Sequence, residues 1–305
     1  MKILVVGAGA VGGYFGARLA EAGRDVTFLV RSSRAQQLQR DGLRIVSPHG
    51  DLTITPQTVT SDQIRSPYEV VFLSVKSLAL DSAIADMAPA VGPATMIYPV
   101  LNGMRHMDTL AKRFGETTVL GGVCMVSTEL DSQGRIVQIN EMQKLIYGEK
   151  NTHITPRIQQ LDKTFSGAAF DTELSTDIMQ TMWQKWVFIA TLGLVTCLFN
   201  ASVGEINAVP FGEETALQSL DECAAVANAC GHPAPEPFLN NIRRQLATKG
   251  SKLTSSMYRD MREGHKVEVD TILGDLLDRG RSHNLKTPLI QAACVRLRVH
   301  QNSVS

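Results

Sequence analysis

KILVVGAGAVG, residues 2–12, decides the fold. Lys2–Val6 carries an apolar run, Ile3–Val6, with no alternation, the pattern of a strand buried on both faces of a parallel sheet. It passes directly into Gly7-Ala8-Gly9-Ala10-Val11-Gly12, where a helical pattern opens and continues to about residue 22. A G-x-G-x-x-G between a strand and a helix is the dinucleotide-binding turn. Gly7 permits the tight turn, Gly9 lets the backbone approach a pyrophosphate, and Gly12 allows helix and sheet to pack closely. The amide groups at the helix start then face an anion. Gly7, Gly9, Ala10, Val11 and Gly12 are therefore the expected cofactor contacts.

Outward from this turn the same alternation continues. DVTFLV (25–30), EVVFLSV (69–75) and TMIYPV (95–100) read as strands, with a helix at 77–90. Further strand-like pieces fall at 117–129, 135–139 and 144–148. Strand–helix alternation predicts a Rossmann-type doubly wound α/β sheet. After about Thr176 the texture turns helical, with segments near 177–199, 212–230, 237–248, 265–280 and 287–300, and no convincing strand after Phe170. The expectation is an N-terminal Rossmann domain, 1–174, binding NADP, and an all-α domain, 175–305, carrying the substrate site.

The second strand bears on the cofactor. An acid at its end, about 20 residues past the glycines, would hold the ribose 2′-hydroxyl of NAD. Here Leu29-Val30 is followed by Arg31, Ser32, Ser33 and Arg34. A guanidinium and hydroxyls suit a 2′-phosphate, so NADPH is expected, although an exposed surface arginine would look the same. Lys76 follows another strand, at the edge that faces the ligand crevice, and would add charge near the phosphates.

Composition narrows the classes. Of 305 residues, 44% are hydrophobic and 20% charged, and thirty basic residues balance thirty acidic ones. That balance gives no electrostatic basis for a nucleic-acid partner. The apolar stretch Trp186 to Phe199 is interrupted by Thr191, Gly193 and Thr196, and is short for a membrane span. The N-terminus could pass for a signal peptide, but four glycines within seven residues break its apolar run, and a cytoplasmic protein is expected. Five scattered cysteines with no C-x-x-C predict neither a metal site nor a disulfide framework.

One charged residue stands out in the helical half. Lys185 shares a stripe with Ile178, Met182, Ile189 and Leu192, and its neighbours one turn away carry no acid. Such an ammonium either snorkels or reaches into a site, where desolvation would lower its pKa and make it a proton donor. Glu268, at the edge of a later helix's apolar face, either is solvated or reaches that ammonium. His106 and His265 are lesser candidates, as are Tyr258, Arg259 and Arg262, while Trp183 and Trp186 read as core.

Taken together, GAGAVG, Leu101-Asn102-Gly103-Met104, Trp183-Gln184-Lys185-Trp186, Ser255-Ser256-Met257 and Glu268-Val269-Asp270 give a chain that resembles the ketopantoate reductase (2-dehydropantoate 2-reductase) family along its whole length. The resemblance implies NADPH-dependent reduction of a 2-oxo acid to a 2-hydroxy acid, with a role in pantothenate biosynthesis. It implies that Lys185 is the catalytic lysine and Glu268 its acidic partner near the substrate. Ser256 would bind substrate, Asn102 would lie between cofactor and substrate, and Arg31 and Lys76 would face the phosphates. The chain departs from the family where Ile189 and Gly193 replace asparagines and Leu273 replaces a third, which points to a less polar 2-oxo acid. A small-molecule substrate and a possible homodimer follow, with no nucleic acid and no membrane. Two other readings are another NADP-dependent hydroxy-acid dehydrogenase and a non-catalytic NADP sensor.

Overall fold

A computed structural model describes residues 1–304. The chain divides into two compact units, one of residues 1–101 and 106–179, the other of residues 102–105 and 180–305.

The first unit is built on β1 (Lys2–Val6), α1 (Ala10–Glu21), β2 (Asp25–Leu29), α2 (Ser32–Asp41), β3 (Leu43–Val46), β4 (Leu52–Ile54) and β5 (Gln57–Val59). There follow β6 (Val70–Leu73), α3 (Leu80–Met87), β7 (Met96–Pro99), α4 (Arg105–Phe114), β8 (Gly121–Leu130), β9 (Ile136–Gly148), α5 (Pro156–Phe165) and β10 (Asp171–Leu174). Five strands form a parallel sheet in the order β5-β2-β1-β6-β7. The central register sets Val5 beside both Phe28 and Phe72. The chain winds outward from β1 in one direction and then, from β6, in the other. The expected doubly wound fold is present, and its switch point lies between β1 and β6, where such sheets bind ligands.

A second sheet was not foreseen. It runs β10-β9-β3-β4, with β8 antiparallel to β9. Strand β9 is continuous over 136–148, where the sequence suggested two pieces. Asp171–Leu174 is a strand after all, which corrects the expectation of none beyond Phe170. It is short and alternates exposed acids with half-buried residues, so no apolar run announces it. An aromatic cluster ties the two sheets together. Tyr98 of β7 meets Tyr147 of β9 edge to face at 5.8 Å, and its hydroxyl donates to the Ile146 carbonyl.

The second unit is helical: α6 (Ile178–Phe199), α7 (Val203–Ile206), α8 (Gly212–Ala229), α9 (Glu236–Leu246), α10 (Ser256–Arg262), α11 (Asp275–Ser282) and α12 (Pro288–Ser303). The first turn leading into α11, Asp270–Gly274, is a π-turn rather than the regular start of a helix from 265. By length and composition α6 is apolar enough to cross a membrane, yet 67% of its apolar window is buried within the protein. Its two fully buried threonines are satisfied within the helix. Thr191 and Thr196 donate to the carbonyls of Val187 and Leu192 one turn back. Trp183 and Trp186 are buried, with the Arg279 guanidinium over both rings. The buried Glu222 carboxylate accepts the first amides of α12, from Leu289 and Ile290.

Candidate active site

Two arrangements carry chemistry, one in each unit. In the first, the chain leaves β1 at Gly7 with φ +100°, a conformation that favours glycine. Ser74, at the end of β6, donates its hydroxyl toward the carbonyls of Val6 and Gly7 and fixes the turn. A Cβ on Gly12 would lie 2.0 Å from Ser74 Oγ and 2.2 Å from the Gly7 carbonyl oxygen, so close packing forbids any side chain there. Gly9 is different. Its backbone, φ −88° and ψ −164°, is open to any residue, and a Cβ there would meet no protein atom within 4 Å. The fold does not require glycine at this position, whereas a ligand drawn up against the backbone would. Gly9 caps α1 without a side-chain partner for the first-turn amides, which leaves Ala10, Val11 and Gly12 presenting N–H groups.

Beside the turn lies a cavity of about 630 Å³. Gly7 and Ala8 line one wall, and Arg31, Ser32, Ser33 and Arg34 at the start of α2 line another. Thr60 and Asp62 after β5, and Ser82 and Asp86 of α3, complete it. The residue types and volume fit the adenosine half of a dinucleotide: a glycine turn for phosphates and guanidinium groups where β2 ends. Arg31 is exposed at the pocket rim. Arg34 plays a second part that the sequence did not disclose. Its guanidinium donates to the Ala8 carbonyl at 3.2 Å and to Gln37 at 2.8 Å, clamping α2 to the glycine turn. Burial draws its pKa below the ordinary arginine value, but the group stays charged. Lys76 is exposed where a short helical turn begins, and its neighbours Val75 and Ala79 line the cavity while it does not.

In the second unit three separate segments converge. Gly103, at φ +78°, presses the Asn102-Gly103 turn onto the π-turn, where an added Cβ would sit 2.2 Å from the Thr271 carbonyl oxygen. The Trp186 indole N–H donates to the Ile272 carbonyl at 2.9 Å, bonding α6 to the same π-turn. Asn102 Nδ2 donates to Glu268 Oε2 at 3.5 Å. Lys185, one residue before Trp186, and Glu268 are both half-buried. A π-turn widens the helix by one residue and often marks a functional position. Trp186 was read as core from the sequence, and its N–H bond is what seats α6 on the Glu268 segment.

The two serines divide their labour. Ser255 is the buried one: it caps α10 through the Tyr258 amide and bonds Thr196 of α6 at 2.9 Å. Ser256 follows it with its side chain exposed. Leu273 is wholly buried in the core, and Gly193 faces the Met257 methyl, which would lie 2.7 Å from a Cβ at 193. Ile189 is half-buried. Of the histidines, His106 is buried, and His265 is exposed beside Glu263. Among the described residues no group of three or more His, Cys, Asp or Glu is gathered as a metal would need.

Comparison with known proteins places these features in context. Family models described as "Ketopantoate reductase PanE/ApbA" and "Ketopantoate reductase PanE/ApbA C terminal" match residues 3–152 and 177–301. The chain is 35% identical over 301 residues to the uncharacterized oxidoreductase YkpB of Bacillus subtilis, covering 99% of both chains. It is 26% identical over 294 residues to a 2-dehydropantoate 2-reductase of Nostoc, covering 95% of this chain and 92% of that one. The crystal structure of a 2-dehydropantoate 2-reductase from Geobacter metallireducens superposes with a TM-score of 0.87 at 25% identity, over 98% of this chain and 99% of that one.

Proposed function

Because the chain belongs to the ketopantoate reductase family, whose members are nicotinamide-dependent oxo-acid reductases, we propose that it reduces a 2-oxo acid to a 2-hydroxy acid with NADPH. The observation that carries the reading is the convergence of Asn102 and Glu268, beside a helix seated by Trp186 and bearing Lys185. A passive nucleotide sensor has no use for that arrangement.

The residues fit a reduced dinucleotide. Gly7, Gly9, Ala10, Val11 and Gly12 would hold its pyrophosphate, and Arg31 its 2′-phosphate. Lys76 would add positive charge from the rim. Bound there, NADPH supplies the hydride that the amino acids of the chain cannot. The protein's task is the carbonyl oxygen, on which negative charge grows as the carbon is reduced. The Lys185 ammonium stabilises that charge and donates the proton. Glu268 orients the ammonium, and Asn102, bonded to Glu268, holds the carboxylate in place. Ser256 offers an exposed hydroxyl to the substrate carboxylate.

The substrate proposed is less polar than ketopantoate. A leucine sealed in the core at 273, a glycine faced by a thioether at 193 and an isoleucine at 189 supply no hydrogen bond to a substrate hydroxyl. A hydroxylated substrate would leave its own groups unpaired in such surroundings. The test is NADPH oxidation against ketopantoate and a series of apolar 2-oxo acids, with NADH in parallel. Faster turnover of the apolar acids with NADPH is expected. NADPH binding without turnover of any 2-oxo acid would overturn the assignment.

A further inference from the structure

We propose that Asp62 is a specificity residue that selects adenine as the purine of the cofactor; the inference rests on the reading that the glycine turn holds NADPH. The order of strands in the sheet sets the argument. Moving outward from the centre, β1 is followed by β2 and then β5. The turn after β1 takes the phosphates, and the end of β2 takes the ribose. The next group outward is the base, and the next strand end is that of β5, which delivers Thr60 and Asp62 to the cavity wall.

Asp62 is held for this purpose. Thr60 starts a short helical turn closed by a reciprocal bond with Gln63, whose side chain accepts the Thr60 amide at 3.1 Å. The Thr60 hydroxyl donates to Asp62 Oδ1 at 2.5 Å. Arg65, the nearest cation bonded to this turn, takes the Asp62 backbone carbonyl and leaves the carboxylate alone. Oδ2 thus has no protein hydrogen-bond partner among the described residues. The cavity has opposite charges on its walls, Arg31 just before α2 and Arg34 on it against Asp62 and Asp86. The guanidinium side suits phosphate, and the carboxylate side suits a neutral base that donates.

Adenine presents an amino group at position 6, whereas hypoxanthine presents a carbonyl there. A carboxylate is acceptor-only, so it accepts from the amine and repels the carbonyl. A hydrogen bond to an ionised group is among the stronger ones, and about a ten-fold preference is the expected scale.

The experiment uses the full chain and reads binding. NADPH and its 6-deamino analogue, which keeps the ribose, phosphates and nicotinamide, are titrated separately, with reduced-nicotinamide fluorescence as the signal. Wild type should bind NADPH about ten-fold more tightly than the analogue. In Asp62→Ala the ratio should collapse toward one through loss of NADPH affinity. Asp62→Asn, whose amide both donates and accepts, should collapse it through gain of the analogue. A thermal midpoint for each variant confirms folding, and the asparagine variant serves if alanine disturbs the turn. Equal binding of both nucleotides by wild type overturns the inference. An unchanged ratio in Asp62→Ala, or collapse only in Asp86→Ala, also overturns it, and either result leaves the NADPH reading standing. Failure of wild type to bind NADPH overturns both.

Discussion

Asn102 Nδ2 donates to Glu268 Oε2 across 3.5 Å, joining residues 166 positions apart just ahead of the π-turn Asp270–Gly274. The bond is long and joins a neutral donor to a carboxylate, so its value lies in orientation more than in energy. Asn102→Ala is expected to lower kcat by about 10–100-fold through a misaligned carboxylate. Asn102→Asp should do more, since two carboxylates at that separation cannot both ionise easily and one pKa must rise. The rate against pH should then gain a new limb that wild type lacks. A kcat/KM profile for the aspartate variant that parallels wild type would refute the coupling.

Gly9 and Gly12 stand three residues apart and should fail in opposite ways. Gly12→Ala forces a Cβ to 2.0 Å from Ser74 Oγ, and overpacking of this kind costs about 1–3 kcal/mol. Its melting temperature should fall. Gly9→Ala meets no protein atom within 4 Å, so its melting temperature should match wild type. Its NADPH affinity should drop ten-fold or more, because only the ligand occupies that space. Equal affinity in Gly9→Ala would show that no phosphate approaches the turn.

Lys185→Ala should reduce turnover by about 10²–10⁴, the range for loss of a general acid. NADPH binding should not change, since no cofactor contact is assigned to this side chain. Stopped-flow hydride transfer and equilibrium titration on the same preparation separate the two quantities. Turnover at the wild-type rate would end the assignment.

How far the sequence could be read depends on what each segment buries. β1 from Ile3 onward and all of β6 are apolar and buried, so a run of valines and leucines identified them. β4, β5 and β10 have three or four residues, none fully buried, and so leave no periodic trace. Helix α2, SSRAQQLQRD, buries only Leu38 and holds too few apolar residues to mark an inward face. The glycine turn was legible because its backbone demands particular residues. The pairing of Asn102 with Glu268 depends on tertiary folding, and no local signal carries it. Which of Ser255 and Ser256 is buried depends on how the chain enters α10, which sequence alone leaves open.

The two arginines at the entrance to α2 should separate by cofactor. Arg31 lines the cavity and is bonded to no part of the turn among the described residues, so on the proposed reading it is the residue that meets the 2′-phosphate. Arg31→Ala should raise KM for NADPH about 10–100-fold and leave KM for NADH nearly constant. Arg34 clamps the Ala8 carbonyl, so Arg34→Met should raise both KM values together. Steady-state kinetics with both nucleotides decide it. A selective NADPH loss in Arg34→Met would move the phosphate contact to that residue.

The interior thiols set an alkaline limit on stability. Burial pushes Cys197 and Cys223 up to about 12 and Cys294 up to about 11, from an ordinary 9.0. In the unfolded chain all three ionise above pH 9, while in the folded chain they stay neutral for two or three units more. The unfolded state therefore binds fewer protons in that window, and stability falls as pH rises. The slope is about 1.4 kcal/mol per pH unit for each thiol. Below pH 9 these groups add no pH dependence. Urea unfolding at pH 8 and pH 10 should show the loss, and Cys223→Ala should flatten the slope by about a third of the thiol contribution. Equal slopes in wild type and the variant would mean that Cys223 ionises freely in the folded protein.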